Sequence, residues 1–233
     1  MRRPIKSVAF LGSSHAVKPM IMIQTLVEMD LLGGRGLVLF TESESGQCSD
    51  FCRLHDIPVI VFDNSGLDDE QSMCTAQRQG VDVLISAGWP HKVPRGFLGI
   101  FPFVSINCHG SVLPDYRGTR AYMHYWANCA EYYGATIHYM NDRLDDGNII
   151  VQGRLKAFME ETPAMVHHRT AELCAYLLPH ALYLVELGFE GFPGSGQKRY
   201  FKQLSPDEFQ EYRRHNLGKV PTERKITPHR VLS

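Results

Sequence analysis

The sequence predicts an α/β protein built on a doubly wound, mainly parallel sheet, followed by a short C-terminal extension. Apolar, β-branched runs of five or six residues recur at 7–11, 36–40, 58–62 and 81–86, the pattern of buried strands. The stretches between them carry helical apolar spacing, and a strand–helix–strand alternation requires right-handed crossovers between parallel strands. A chain of 233 residues, 44% hydrophobic and 21% charged, can close one large core and has the balance of an ordinary globular protein.

In order, the first strand runs into Gly12-Ser13-Ser14. That turn has two readings. Its amides and hydroxyls hold a phosphate, as in the first strand–helix turn of a nucleotide-binding unit, or it is a tight turn with Ser14 capping the next helix. It lacks the G-x-G-x-x-G pattern. Residues 19–32 have helical spacing and stop at Gly33-Gly34. Helices are expected over 48–55 and 68–79. The strand at 81–86 leads into Ala87-Gly88-Trp89-Pro90-His91-Lys92-Val93-Pro94, where Gly88 and Pro90 suit a fixed loop. Trp89 either joins the core or covers a ligand. A helix over 119–130 sets Tyr122, Trp126 and Cys129 on one face, which reads as core packing. A long amphipathic helix spans 162–187, with Pro163 in its first turn, Pro179 as a candidate kink, and His167 and His168 on its surface. From Phe189 the composition shifts to a Gly/Pro linker, and Ser205-Pro206-Asp207-Glu208-Phe209 opens a short helix. The chain thus divides into 1–188 and an extension, 189–233.

The chemistry-bearing stretch is 104–118. It begins as an apolar strand and turns polar where that strand ends. Asn107 and His109 are two apart and so share a side, at the strand end where open α/β sheets bind ligands. Cys108, between them, points into the core and is no nucleophile. Another strand at 134–140 is followed by Asn141-Asp142-Arg143-Leu144-Asp145-Asp146-Gly147 and then by Ile149-Ile150-Val151.

Asn107-Cys108-His109 with Leu113-Pro114 and Tyr116-Arg117-Gly118, followed by Gly134, Thr136-Ile137, an aromatic, and Leu144-Asp145-Asp146-Gly147, resembles the two motifs of the 10-formyltetrahydrofolate-dependent formyltransferases, over about 81–155. The resemblance implies a Rossmann-like fold and transfer of a formyl group from the folate nitrogen to an acceptor amine, with 10-formyltetrahydrofolate as co-substrate and no metal. Attack on the formyl carbon creates an oxyanion that needs positioned donors. Asn107 can donate to it, and His109 can donate or take the amine's proton. Spacing does not choose between Asp142 and Asp145 as the carboxylate behind the imidazole; the resemblance implies Asp145, with Asp146 pointing away. It places Ala87, Trp89, His91, Val93, Met140, Asp142 and Leu144 along the folate. The expected substrate contacts are Gly12, Ser13, Ser14, Ser111 and Arg117. Arg117 either pairs with phosphate or, the reading favoured, holds its loop.

For the acceptor, residues 109–118 resemble the sugar and transfer-RNA branches more than the purine branch. The extension is too short for the second domain of the transfer-RNA enzymes, and a net charge of −1 gives no basis for binding nucleic acid. A nucleotide-linked amino deoxysugar is the expected acceptor, and glycinamide ribonucleotide the alternative. A folate deformylase is a third possibility. A non-catalytic folate- or nucleotide-binding module is a reading of another class, disfavoured by the intact Asn107, His109 and Asp145 set. Partners are therefore expected to be small molecules, with a homodimer left open. No apolar run approaches the roughly 20 residues of a membrane span. With no export signal the expected location is cytoplasmic, where the six scattered cysteines stay reduced. Cys48, Cys52 and His55 lack a second ligand cluster, so no metal is expected.

Overall fold

The computed structural model describes residues 4–62, 66–196, 198–201 and 203–221. Its seven strands, β1 (Ser7–Leu11), β2 (Gly36–Thr41), β3 (Val59–Val61), β4 (Val83–Ser86), β5 (Val104–His109), β6 (Tyr132–Tyr139) and β7 (Ile149–Lys156), form one sheet in the order β3-β2-β1-β4-β5-β6-β7. The first five are parallel, and β6 and β7 are antiparallel additions. Strand order reverses between β1 and β4. Chain segments leaving these two strands diverge, and a crevice opens at their carboxyl ends.

Both faces of the sheet are covered, as expected. The helices α1 (Val17–Glu28), α2 (Gln47–Leu54) and α6 (Pro163–Glu186) pack on one face around Phe10, Met22, Ile23, Ile85, Ile106 and Leu178. On the other, α3 (Glu70–Arg78) and a single turn, α4 (Arg95–Leu98), pack around Phe40, Leu84, Ala76 and Phe97. The turn α4 was not foreseen, because four residues carry no periodicity. Thr162 caps α6 by accepting from the Met165 amide at 3.2 Å, and the helix runs through Pro179.

Two elements depart from expectation. The helix predicted at 119–130 contracts to α5 (Ala121–Ala127), which buries His124 and Tyr125 and leaves Tyr122 and Trp126 half-buried. The last helix is longer than expected. Ser205 and Glu208 form a reciprocal capping box, and α7 extends over Pro206–Lys219. It docks on α5: Arg213 donates to the carbonyls of Trp126 (2.5 Å) and Met159 (2.8 Å), and Asn216 to that of Ala127 (3.0 Å). Most of the basic tail, 222–233, lies outside the described residues.

Candidate active site

The site grows from strand register. Asn107 sits beside Ser86 of β4 and directly opposite His138 of β6, while His109 faces Thr136. Cross-strand neighbours share a face, so His138 is brought onto the side shared by Asn107 and His109. Cys108, 1% exposed, lies in the core as the alternation requires.

Asp145 draws these groups together. Its Oδ1 stands 3.5 Å from His109 Nδ1, 3.8 Å from His138 Nε2 and 3.3 Å from Asn107 Nδ2, and its Oδ2 accepts from the Gly118 amide at 2.9 Å. Bond partners fix the tautomers. His138 Nδ1 donates to the Tyr139 carbonyl (2.8 Å), leaving Nε2 to accept from Asn107 Nδ2 (3.0 Å). His109 Nε2 donates to the Tyr116 carbonyl (3.0 Å), so Nδ1 faces the carboxylate. Burial would raise the Asp145 pKa, but His109, His138 and the Gly118 amide together hold it well below the usual carboxylate range. Burial lowers the pKa of His109; Asp145 opposes this, and Lys18 adds to it. At neutral pH the pair is therefore an ionised carboxylate behind a neutral imidazole. A proton arriving on Nδ1 would convert a lone pair facing an anion into an ion pair.

The loop carrying Asp145 is held from several sides. A Cβ on Gly147 would stand 1.7 Å from the Tyr139 carbonyl oxygen, so no other residue fits this position without moving the backbone. Asp145 itself adopts a left-handed φ of 49°, which Asp tolerates better than most residues. Arg117 donates to the Leu144 carbonyl at 2.6 Å and pairs with Asp146 at 2.9 Å. The extension completes the brace. Residue 117 forms a β-bridge with Tyr200, the Arg117 amide donates to the Arg199 carbonyl (3.1 Å), Arg199 binds Asp115 through two nitrogens, and Lys198 pairs with Asp146 (3.1 Å). Phe201 stacks on Tyr116 at 4.5 Å.

A cavity of about 680 Å³ surrounds the quartet, within the usual range for small-molecule sites. Its wall includes Asn107, His109 and Asp145 and, of the residues expected along the folate, Trp89, His91, Val93, Met140, Asp142 and Leu144. Ala87, Gly12, Ser13, Ser14, Ser111 and Arg117 stand behind the wall rather than in it. Ala87 is fully buried. Ser111 donates to the Asp115 carbonyl (2.8 Å). Ser14 does not cap α1, whose N-cap is Ala16; it is buried and bonded to the Ser45 carbonyl and to Ser49, each at 2.7 Å. Arg117 is engaged by the loop itself, through the Leu144 carbonyl and Asp146.

Among the wall residues that sequence reasoning does not mark are His138, Lys18, Tyr122 and His167. For His138 the signal lies in its register directly opposite Asn107. His167, expected on the surface, is half-buried and stacks on Tyr122 at 4.2 Å and 7°; burial and Lys18 push its pKa down to about 4. Tyr122 is thus part of the cavity as well as packing. Among the described residues no group of three or more His, Cys, Asp or Glu could hold a metal ion, and no helix is long and apolar enough to cross a membrane.

A doubly wound sheet whose switch-point crevice gathers an amide, two imidazoles and a carboxylate defines a Rossmann-like protein equipped for polar group transfer. The formyl transferase family model matches residues 6–182, and the chain belongs to that family. It is 26% identical over 168 residues to a chloroplastic phosphoribosylglycinamide formyltransferase of Arabidopsis thaliana, covering 67% of this chain and 56% of the relative. It is 30% identical over 175 residues to a methionyl-tRNA formyltransferase of Dechloromonas aromatica, covering 73% and 54%. With a GDP-perosamine N-formyltransferase of Brucella melitensis it shares 26% identity over 158 residues, covering 66% and 61%. The chain thus spans little more than half the length of these relatives. Among solved structures, glycinamide ribonucleotide transformylase 1 from Symbiobacterium toebii superposes with a TM-score of 0.67 at 21% identity, covering 79% of this chain and 89% of that one. A sugar N-formyltransferase from Shewanella sp. FDAARGOS_354 gives 0.62 at 20%, covering 84% and 76%. These likenesses establish the fold.

Proposed function

We propose that the chain transfers the formyl group of 10-formyltetrahydrofolate to a primary amine carried by a nucleotide-linked amino deoxysugar. The single observation behind the chemistry is the convergence of Asn107, His109, His138 and Asp145 on one cavity. The amine's lone pair attacks the formyl carbon, a C–N bond forms, and the carbonyl electrons move to oxygen. His109 Nδ1 takes the amine's proton, and Asp145 holds the resulting imidazolium. Asn107 has both N–H groups engaged, with His138 at 3.0 Å and Asp145 at 3.3 Å. The longer bond is the one exchanged for the developing oxyanion, while His138 keeps the amide in orientation. Collapse breaks the bond to the folate nitrogen, which leaves with the proton that the His109 imidazolium returns to it.

Trp89, Val93, Met140 and the exposed Leu144 supply an apolar wall for the pterin end of the folate. The Trp89 indole N–H is buried and has no protein partner among the described residues. We assign catalysis to 1–188 and a bracing role to the described residues of the extension, 198–201 and α7. The sugar acceptor is supported by the branch resemblance of residues 109–118 and by the near-neutral charge. The test is a panel: 10-formyltetrahydrofolate with nucleotide-linked 3-amino and 4-amino deoxysugars, glycinamide ribonucleotide and charged initiator transfer RNA. Preference for an amino sugar by several orders of magnitude in kcat/KM supports the assignment. Turnover of glycinamide ribonucleotide alone overturns the acceptor and leaves the chemistry standing, and turnover of none overturns the transferase reading.

A further inference from the structure

The turn after β1 and the inside of the cavity treat negative charge in opposite ways. At the turn, Glu42 from the end of β2 folds back. It accepts from the Ser13 hydroxyl (2.6 Å), from Thr41 (3.0 Å) and, at a longer 3.4 Å, from the Ser14 amide. Burial raises its pKa, but these donors outweigh that and keep the carboxyl below its ordinary value. The donors that could cradle a phosphate thus already hold an internal anion. A second anion there would meet like charge.

Inside the cavity the imbalance is reversed. Lys18, on the first turn of α1, donates to the Cys108 carbonyl, one residue before His109. No carboxylate among the described residues lies within ion-pair distance of it. The groups that feel its charge are His109, His167, Cys108 and Cys174. Asp145, the nearby acid, is already engaged by His109, His138, Asn107 and the Gly118 amide. Lys18, His167 and Thr170 come from α1 and α6, on the face of the sheet opposite the Trp89–Val93–Met140 wall. Arg120, exposed at the start of α5, adds a second cation to the cavity rim. An ammonium with no counter-ion among the described residues, held one residue from the proposed catalytic imidazole, makes that imidazole a poorer base, so free enzyme gains nothing from it. The penalty disappears once an anion sits on Lys18.

We propose that Lys18 is the anion-recognition residue of the acceptor subsite: the acceptor carries a phosphate or carboxylate within a lysine arm's reach of its amine, and the Gly12-Ser13-Ser14 turn, filled by Glu42, takes no part. This rests on the formyl-transfer reading for its catalytic consequence, but the anion site itself does not. An acceptor whose anion reaches Lys18 restores the basicity of His109, which also faces Asp145, His138 and the Tyr116 carbonyl, so binding and activation are coupled.

The first test needs no acceptor. Inorganic phosphate and acetate are titrated into wild type, Lys18→Met, Lys18→Arg and Glu42→Gln, with binding read by calorimetry and by protection against thermal unfolding. Expected is saturable binding to wild type that falls at least about tenfold in Lys18→Met, the scale of losing a charged partner, and persists in Lys18→Arg and Glu42→Gln. Phosphate binding tighter than acetate marks a phosphate-bearing acceptor, and the reverse a carboxylate. The second test uses whichever acceptor the panel identifies. Lys18→Met should raise the acceptor KM about tenfold or more and leave the folate KM within about twofold. Because Lys18 depresses the His109 pKa, its loss should also move the acid limb of kcat/KM for an uncharged amine to higher pH. Absent anion binding in wild type, binding untouched by Lys18→Met, or binding that appears only in Glu42→Gln would overturn the proposal. A panel with no acceptor would sink the transferase reading and leave the first test decisive for the anion site.

Discussion

Replacing Asp145 by Asn is the sharpest perturbation of the proposed chemistry. The carboxylate lies 3.5 Å from His109 Nδ1, and both side chains are largely buried. With an effective dielectric of about 20, unit charges at that separation attract by about 5 kcal/mol, or between three and four pKa units of imidazolium stabilisation. Asn removes this term and can offer His109 an N–H, tying up the lone pair that should take the amine's proton. It can still accept from the Gly118 amide, so the loop should keep its anchor. Expected is a fall in kcat of at least about a hundredfold, the scale of a general base, with a melting temperature within a few degrees of wild type. The sign of the pH effect follows. Asp145 raises the His109 pKa, so its loss lowers it further and moves the acid limb of kcat/KM to lower pH. The assay follows tetrahydrofolate release spectroscopically across the pH range, with the acceptor found in the panel. Activity within about tenfold of wild type and an unmoved acid limb would refute the reasoning.

Asp146→Asn is the matched control. Asp146 pairs with Arg117, Lys198 and the exposed Arg143, and its loss should change kcat less than about fivefold, the scale of surface ion pairs. Asn107→Ala and His109→Ala should each lower kcat at least about a hundredfold, measured in the same assay. Gly147→Ala drives a methyl into the Tyr139 carbonyl and should lower Tm by roughly 4–8 °C in a calorimetric scan, the expectation for a loss of about 2 kcal/mol in a domain this size. Activity should survive exhaustive chelation; loss that added zinc restores would count against the metal-independent mechanism.

The sheet was legible because its strands are short apolar runs bounded by glycine, proline and polar loops, and period-two alternation correctly sent Asn107 and His109 one way and Cys108 the other. The Asp145 loop was legible only through its motif, since nothing in the spacing separates Asp142 from Asp145. Contacts between elements remote in sequence were not legible. His138 enters the site through register across an antiparallel pair. Tyr122 and His167 meet because α5 and α6 pack together, and local periodicity saw each only as half of an amphipathic face. The Gly12-Ser13-Ser14 turn shows the same limit: local pattern suggests a cradle for an anion, and only the fold brings Glu42, 29 residues beyond Ser13, against it.

The strap at 198–201 has a consequence for how the protein is made. Every side chain of the proposed catalytic set lies before residue 150, yet the backbone at Arg117 waits for Arg199 and Tyr200 to complete its hydrogen bonding. A nascent chain emerging from the ribosome therefore folds its sheet well before it can fasten the loops that aim Asp145. A chain interrupted after α6 would carry the whole proposed catalytic set without the fastening that holds Asp145 in aim.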